Sequence, residues 1–299
     1  MSIASWICRS VETFVIESSL NRLVEIDGSP IFDRPLVGLA DGDDTLFARY
    51  KEIIGLFHRT PREALAEEAP IEAGKPVGVI AWILPITQTT RDSNRERDRS
   101  PSMRWAHTKQ YGEALNDALR RHLVALLREA GYRACAPALS SAFKVVRDEA
   151  VRPPSANWSE RHIAYAAGLG TFGLSDGLIT ARGIAHRCGS VVVGAHLEPT
   201  PRFYAGPYDY CLFHSQGTCG VCMARCPAGA ITAEGHDKAL CGAYCGRELG
   251  GLHRQEYGVT QLTCGLCQVG MPCEDGVPTT LSHGHEEQDD GEQGLDGSS

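Results

Sequence analysis

The sequence predicts an α+β chain: an α/β sandwich over residues 1–205, then a small cysteine-rich domain over 206–281. Three observations carry this reading. Apolar stretches with helical and strand periods alternate through most of the first part. After Tyr210 short segments, glycines and cysteines take over. Nine of the twelve cysteines then fall between 211 and 273, which is too dense for chance. Residues 282–299 hold six acids, one Leu and no Lys or Arg, so a disordered acidic tail is expected there. His283 and His285 go with it as solvated residues.

The elements follow in order. Residues 1–27 place Ile7, Val11, Phe14, Val15 and Leu20 at helical spacing. Residues 36–55 read as a short strand, an acidic turn and a helix. Asp41, Asp43 and Asp44 lack EF-hand spacing, so they read as a turn and helix N-cap. PVGVIAWILPI at 76–86 is a buried strand, and the charged stretch 91–104 reads as a loop. Residues 107–130 carry Leu115, Leu119, Leu123, Leu126 and Leu127 on one helix face, ended by Gly131. YRACAPAL at 132–139 returns as a strand. Ser159 caps a helix running to Ala167, and GSVVVGAHL at 189–197 is a strand.

Composition excludes several classes. No apolar run reaches membrane-span length, and the N-terminus has no export signal, so the cytoplasm is the expected compartment. Disulfides do not persist there, so the clustered cysteines point to metal. Cys8, Cys135 and Cys188 lie outside the cluster and read as buried structural thiols. Net charge is −8, and only −2 without the tail. The one Arg-dense stretch, 91–104, sets five Arg against three acids, so charge does not advertise nucleic-acid binding.

QGTCGVCMARCP at 216–227 places Cys219, Cys222, Cys226 and Pro227 on the last positions of the C-x2-C-x2-C-x3-C-P iron–sulfur run. Gln216 stands where the first cysteine belongs. A second C-x2-C pair is Cys264 and Cys267. Two such pairs could make a four-thiolate zinc site. The proline after Cys226, the following AGAI and the cysteine count favour two 4Fe–4S clusters instead. In two-cluster proteins the cysteine before the proline serves the other cluster. That rule assigns Cys211, Cys219, Cys222 and Cys273 to one cluster. The other takes Cys226, Cys241, Cys264 and Cys267, with Cys245 as the spare; spacing alone does not separate Cys241 from Cys245. Gln216 then marks a lengthened loop, and Gly220 and Gly265 ease the two turns.

The G-x-G-x-x-G in AGLGTFGL follows a helix rather than a strand, which is the wrong context for a Rossmann nucleotide site. ERHIAYAAGLGTFGL, GSVVVGAHL, the CxxCxxxCP run and CGLCQ…PC together resemble the epoxyqueuosine reductase and reductive dehalogenase superfamily, over about residues 150–278. The resemblance implies a nitroreductase-like α/β domain holding base-off cobalamin, next to a ferredoxin-like domain with two clusters. Carried over residue by residue, Glu160, Arg161, Gly168, Leu169, Gly170, Phe172 and Gly173 match the cofactor-proximal segment, and Gly189 and Ser190 the strand that follows. The family's proton-donating aspartate falls on Pro154, and Tyr165 and Tyr204 are candidates for the dehalogenase tyrosine. The catalytic residue is therefore unassigned, with His162 as a candidate among histidines that are more often structural.

The leading expectation is an oxidoreductase that passes electrons through two clusters to a bound corrinoid. Its electrons would come from a ferredoxin or flavodoxin, and tRNA is the substrate that the resemblance suggests. The alternative is a ferredoxin-like electron carrier to a partner protein, a corrinoid protein among them, without its own cobalamin. A third reading is reactivation of a separate methyltransferase's corrinoid, which would reduce a partner's cobalt without bound cobalamin of its own.

Overall fold

The computed structural model describes residues 2–67, 70–72, 74–147 and 154–278. The expected acidic tail, with His283 and His285, lies outside the described residues. The fold is α+β. α1 (Ile3–Glu17) opens the chain, capped by the Ser2 hydroxyl, and buries Ile7, Val11 and Val15. β1 (Leu36–Asp41) leads through the acidic turn to α2 (Thr45–Ile53), where the Asp44 carboxylate accepts from the Leu46 amide as an N-cap should. α3 (Pro61–Ala66) has a full capping box from Thr60 and Glu63.

β2 (Gly78–Pro85) is buried along its whole length. It is the second strand of an antiparallel sheet in the order β1-β2-β8-β3, where β3 is Ala134–Cys135 and β8 is His186–Val193. The uninterrupted apolar run follows from cover on both faces. Ile80, Trp82 and Leu84 enter one core with α1 and with α5 (Met103–Glu129), while Val79, Ala81 and Ile83 enter another with α2 and α3. Leu115, Leu119, Leu123 and Leu127 of α5 are fully buried, as the period predicted.

Four expectations are corrected. Part of the charged stretch 91–104 is helical: α4 (Gln88–Arg95) buries Thr90, Arg91 and Asn94 instead of apolar side chains. It is held by polar partners that no hydrophobic period reveals. Arg91 donates to the Ile86 carbonyl and Asn94 to that of Cys264. Glu274, almost fully buried, is 2.6 Å from Arg95 and 3.4 Å from Arg91. The strand expected at 132–139 shrinks to β3 plus a 3-10 turn at Pro137–Leu139, because Pro137 removes a ladder donor. The strand expected from 189 begins at His186 and ends at Val193, where Gly194 turns to donate to the Arg133 carbonyl. Of the three outlying thiols, Cys135 is buried, but Cys8 and Cys188 are only half-buried.

Beyond α5 come the short pairs β4 (Val145–Val146) with β5 (Ser155–Ala156), then α6 (Glu160–Ala166), then β6 (Gly170–Phe172) paired with β7 (Leu178–Thr180). The cysteine-rich part holds α7 (Leu212–Gln216), α8 (Val221–Ala224), the hairpin β9 (Ile231–Thr232) and β10 (Gly235–His236), and α9 (Lys238–Ala243). A π-helical turn at Tyr244–Leu249 runs into α10 (Gly250–Tyr257). This part completes its cores on the body. Ala106 of α5 packs with Tyr257, Leu262 and Leu266, and Leu174, Ile179 and Ile184 pack with Cys211, Ile231 and Met271. No helix among the described residues is long and apolar enough to cross a membrane.

Candidate functional site

The chain gathers nine cysteines into two groups. Cys211 sits at the N-cap of α7, Cys219 and Cys222 flank the start of α8, and Cys273 follows the loop after the 3-10 turn Leu266–Gln268. These four line one apolar pocket with Leu174, Ile179, Ile184 and Met271. Burial pushes the Cys273 thiol up to about 12, and repulsion from Cys211, Cys222 and Cys219 adds to it. The Cys222 thiol rises to about 11 through burial, then through Cys211 and Cys219. Cys222 and Cys273 held this way are costly to ionise without a positive centre beside them.

The second group holds Cys226, Cys241, Cys245, Cys264 and Cys267. The Cys267 thiol is pushed up to about 12, first by burial and then by Cys226 and Cys222, so the two groups are neighbours. Cys245, set aside by the spacing argument, stands inside this group. Its sulfur is hydrogen-bonded to both Cys241 and Cys264, which lowers its own proton affinity and raises theirs. It lies on the π-helical turn, one turn after Cys241. Among the described residues, no three His, Cys, Asp or Glu side chains are set to hold a single metal ion.

A cavity of about 720 Å³ opens beside α6. Tyr50, His162, Tyr165, Phe172 and Tyr208 form aromatic wall, and Arg49, Arg161, Asp176 and Lys238 bring charge. The His162 ring lies 4.7 Å from that of Phe172 and 5.0 Å from that of Tyr50. A smaller cavity, about 300 Å³, lies on the other side of the same helix start; Ala156, Ser159 and Arg161 line both. The Arg161 charge also reaches the Cys267 thiol, so this wall adjoins the second cysteine group.

The residues singled out in sequence divide between wall and frame. Arg161, His162, Tyr165 and Phe172 line the larger cavity, and Glu160 the smaller. Glu160 accepts from Arg120 at 3.0 Å and from the Ser190 hydroxyl at 2.5 Å, and Ser190 in turn accepts from the Trp158 indole. Burial raises the Glu160 carboxyl, and the Arg120 charge opposes it. Gly168 abuts the Pro201 carbonyl, Gly170 the Ile179 carbonyl, and Gly189 the Trp82 indole. Leu169 is buried in the core, and Gly173 donates to the Gly177 carbonyl to close the β6–β7 hairpin. Tyr204 donates to the Tyr165 carbonyl instead of facing the cavity.

Pro154, where the sequence resemblance would expect an aspartate, does line the cavity. A carboxylate comes from another direction. Asp176, at the β6–β7 tip with φ 59°, lies 3.3 Å from Lys238 and 3.4 Å from His236. Burial pushes its carboxyl up, but His236 and Lys238 outweigh that and hold it below the usual range. The sequence signal was present, since Asp-Gly at 176–177 between apolar runs marks a hairpin turn.

Three histidines are kept neutral. The Ser159 amide donates to His58 Nε2, which requires that nitrogen unprotonated. Burial lowers His58 to about 4, with Lys51 and Arg59 adding to it. Burial lowers His162 to about 3 and His186 to about 4; His162 Nδ1 pairs with the Ser159 hydroxyl and His186 Nε2 with the Leu178 carbonyl. Unfolded histidines titrate near 6.5. As pH falls from 6.5 towards 4, the unfolded chain therefore binds protons that the folded chain refuses, and stability is lost. Unfolding free energies from denaturant titrations should fall from pH 7 to pH 5, approaching about 1.4 kcal/mol per pH unit for each such histidine below pH 6.5. A flat profile would contradict the neutral assignment.

Comparison with known proteins places the fold. Neither a scan against protein-family models nor a search of curated proteins finds a match. Solved structures do. A selenomethionine-labelled epoxyqueuosine reductase aligns over 92% of this chain and 66% of its own, with a TM-score of 0.52 and 16% identity. An epoxyqueuosine reductase with an epoxyqueuosine-modified tRNA-Tyr stem loop aligns over 93% and 67%, at 0.51 and 17%. The catabolic reductive dehalogenase NpRdhA with 3-bromo-4-hydroxybenzoic acid aligns over 82% and 30%, at 0.51 and 13%. The chain shares the fold of these enzymes and spans about two thirds of the reductases and under a third of the dehalogenase.

Proposed function

We propose that this chain, built on the fold of epoxyqueuosine reductases and reductive dehalogenases, is an iron–sulfur oxidoreductase that delivers electrons to an acceptor in the cavity beside α6. The observation that carries the reading is that Gln268, the residue after Cys267, lines the smaller cavity together with Arg161, which lines both cavities. An electron leaving a cluster held by the second cysteine group would have this cavity wall beside it.

The donor set fits two 4Fe–4S clusters, because each group supplies at least four thiols in largely apolar surroundings and the groups adjoin. Cys211, Cys219, Cys222 and Cys273 would hold the first. Cys226, Cys264, Cys267 and one of Cys241 or Cys245 would hold the second. Bound there, the clusters supply single electrons. A ferredoxin or flavodoxin would load them.

The acceptor we infer is a corrinoid, placed by the sequence resemblance, which would supply a cobalt centre reducible in one-electron steps. Arg161 and Phe172, which line the larger cavity, would flank it. At neutral pH, His162 offers an uncharged imidazole to whatever binds. Arg49, Arg161 and Lys238 supply positive charge for an anionic substrate, the phosphates of a tRNA among them. A second reading, an electron carrier with no corrinoid of its own, is favoured by the glycines. Gly168, Gly170 and Gly189 are spent on contacts within the protein and form no open cradle.

Anaerobic purification, cluster rebuilding, incubation with cobalamin and gel filtration, followed by metal analysis, separates the readings. About eight irons and about one cobalt per chain are expected. About eight irons without cobalt would leave the carrier, and about one zinc with little iron would overturn both.

A further inference from the structure

The smaller cavity holds a charge that the protein does not balance. Both terminal nitrogens of Arg120 are engaged: it contacts Asp117 at 2.7 Å, Glu160 at 3.0 Å and Glu113 at 3.3 Å, and only its Nε lacks a partner among the described residues. Glu113 is shared again with Lys109, at 3.8 Å. Arg187, on β8 and facing the same cavity, is left over. Its Nε is shut off from solvent with no hydrogen-bond partner among the described residues. Glu113 attracts it and Arg161 repels it. Arg120, Arg161 and Arg187 thus line the cavity with Glu113 and Glu160, three cations against two carboxylates. Gln268 adds a second unmet group, because its side-chain oxygen is also buried without a partner.

Arg187 is half-buried, with its Nε fully shut off, and a partly desolvated guanidinium with no ion pair among the described residues favours an added anion. The planar fork of arginine matches two oxygens of a carboxylate or phosphate. Gln268 can turn its amide so that the NH2 end meets the same group. We propose that this cavity is a binding site for an oxyanion, the carboxylate or phosphate group of a small ligand, gripped by Arg187 and steadied by Gln268. The cavity lies between β8 and the residue after Cys267, so the ligand sits against the second cysteine group. The proposal stands whether or not a corrinoid occupies the larger cavity.

The test uses the full chain with rebuilt clusters, melted anaerobically in chloride buffer with added inorganic phosphate or acetate. Sodium chloride at equal ionic strength is the control. Phosphate, acetate or both should raise Tm saturably, by about 3 °C or more at tenfold the Kd, where chloride does not. A response to phosphate alone assigns a phosphate ester as the ligand, and one to acetate alone a carboxylate. Arg187→Gln should abolish the response, and Arg121→Gln, on the exposed side of α5, should keep it. If Arg187→Gln does not fold, Gln268→Met decides, with an expected loss of affinity of threefold or more at unchanged iron content. No response beyond chloride, or a response that survives both cavity substitutions, overturns the proposal.

Discussion

Cys211→Ala is expected to lower the iron content of the rebuilt protein from about eight per chain to about four, or to leave a three-iron centre with its own electron resonance signal. The argument is geometric. The iron–sulfur run lacks its first cysteine at Gln216, and the chain between Cys211 and Cys219 folds as the short helix α7. That helix ends at Gly217 in a left-handed cap and returns the chain towards its own start. Cys211 is therefore carried back to the pocket shared with Cys219, Cys222 and Cys273. No other cysteine lies in that pocket to replace it. The second group differs, because Cys241 and Cys245 both stand there. Alanine at either one alone should lose less iron than Cys211→Ala. Full iron in Cys211→Ala, with loss in Cys245→Ala instead, would overturn the assignment.

The contrast shows which features could be read from the sequence. The grouping of Cys219 with Cys222, and of Cys264 with Cys267, is local and follows from two-residue spacing. The buried strand at 76–86 and the leucine face of α5 were legible for the same reason, since an unbroken apolar run or a single period marks one element. The features missed depend on pairs far apart in the chain. α4 is helical because Arg91 and Arg95 meet Glu274. Asp176 enters the cavity because a hairpin turns at its position and Lys238 awaits it. Cys245 joins the second group because a π-helical turn keeps it beside Cys241 while Cys264 arrives from another segment. The unbalanced charge of Arg187 exists only once α5 has placed Arg120 and Glu113 beside β8. No composition or spacing argument contains these distances.

The same reasoning separates two glycines that look equivalent in sequence. Gly220 and Gly265 each follow the first cysteine of a C-x2-C pair. Gly220 has φ −162°, an extended value open to any residue, and an added methyl would meet only the flexible end of Met223. Gly265 has φ +62°, and an added methyl would fall 2.1 Å from the Trp105 indole, itself buried at the start of α5. Gly220→Ala should therefore keep about eight irons, while Gly265→Ala should drop to about four by displacing the loop that carries Cys264 and Cys267. The overlap and the left-handed backbone together should cost about 3 kcal/mol or more of stability. Gly183→Ala is the matching test on the other group. Its methyl would strike the Glu274 carbonyl, and the next amide, of Ile184, donates to the Cys273 carbonyl at 3.0 Å. That substitution should remove the first cluster and spare the second. The two losses can be told apart because the cluster left in each variant has different ligands and so a different reduction potential. Both substitutions act from the body of the protein, through Trp105 in one case and the residues after β7 in the other. Equal iron in Gly220→Ala and Gly265→Ala would mean that the cysteine-rich part holds its clusters without the body. The expected difference would mean that the sheet and α5 set where the cysteine loops hold their clusters, and with them any route to the cavity.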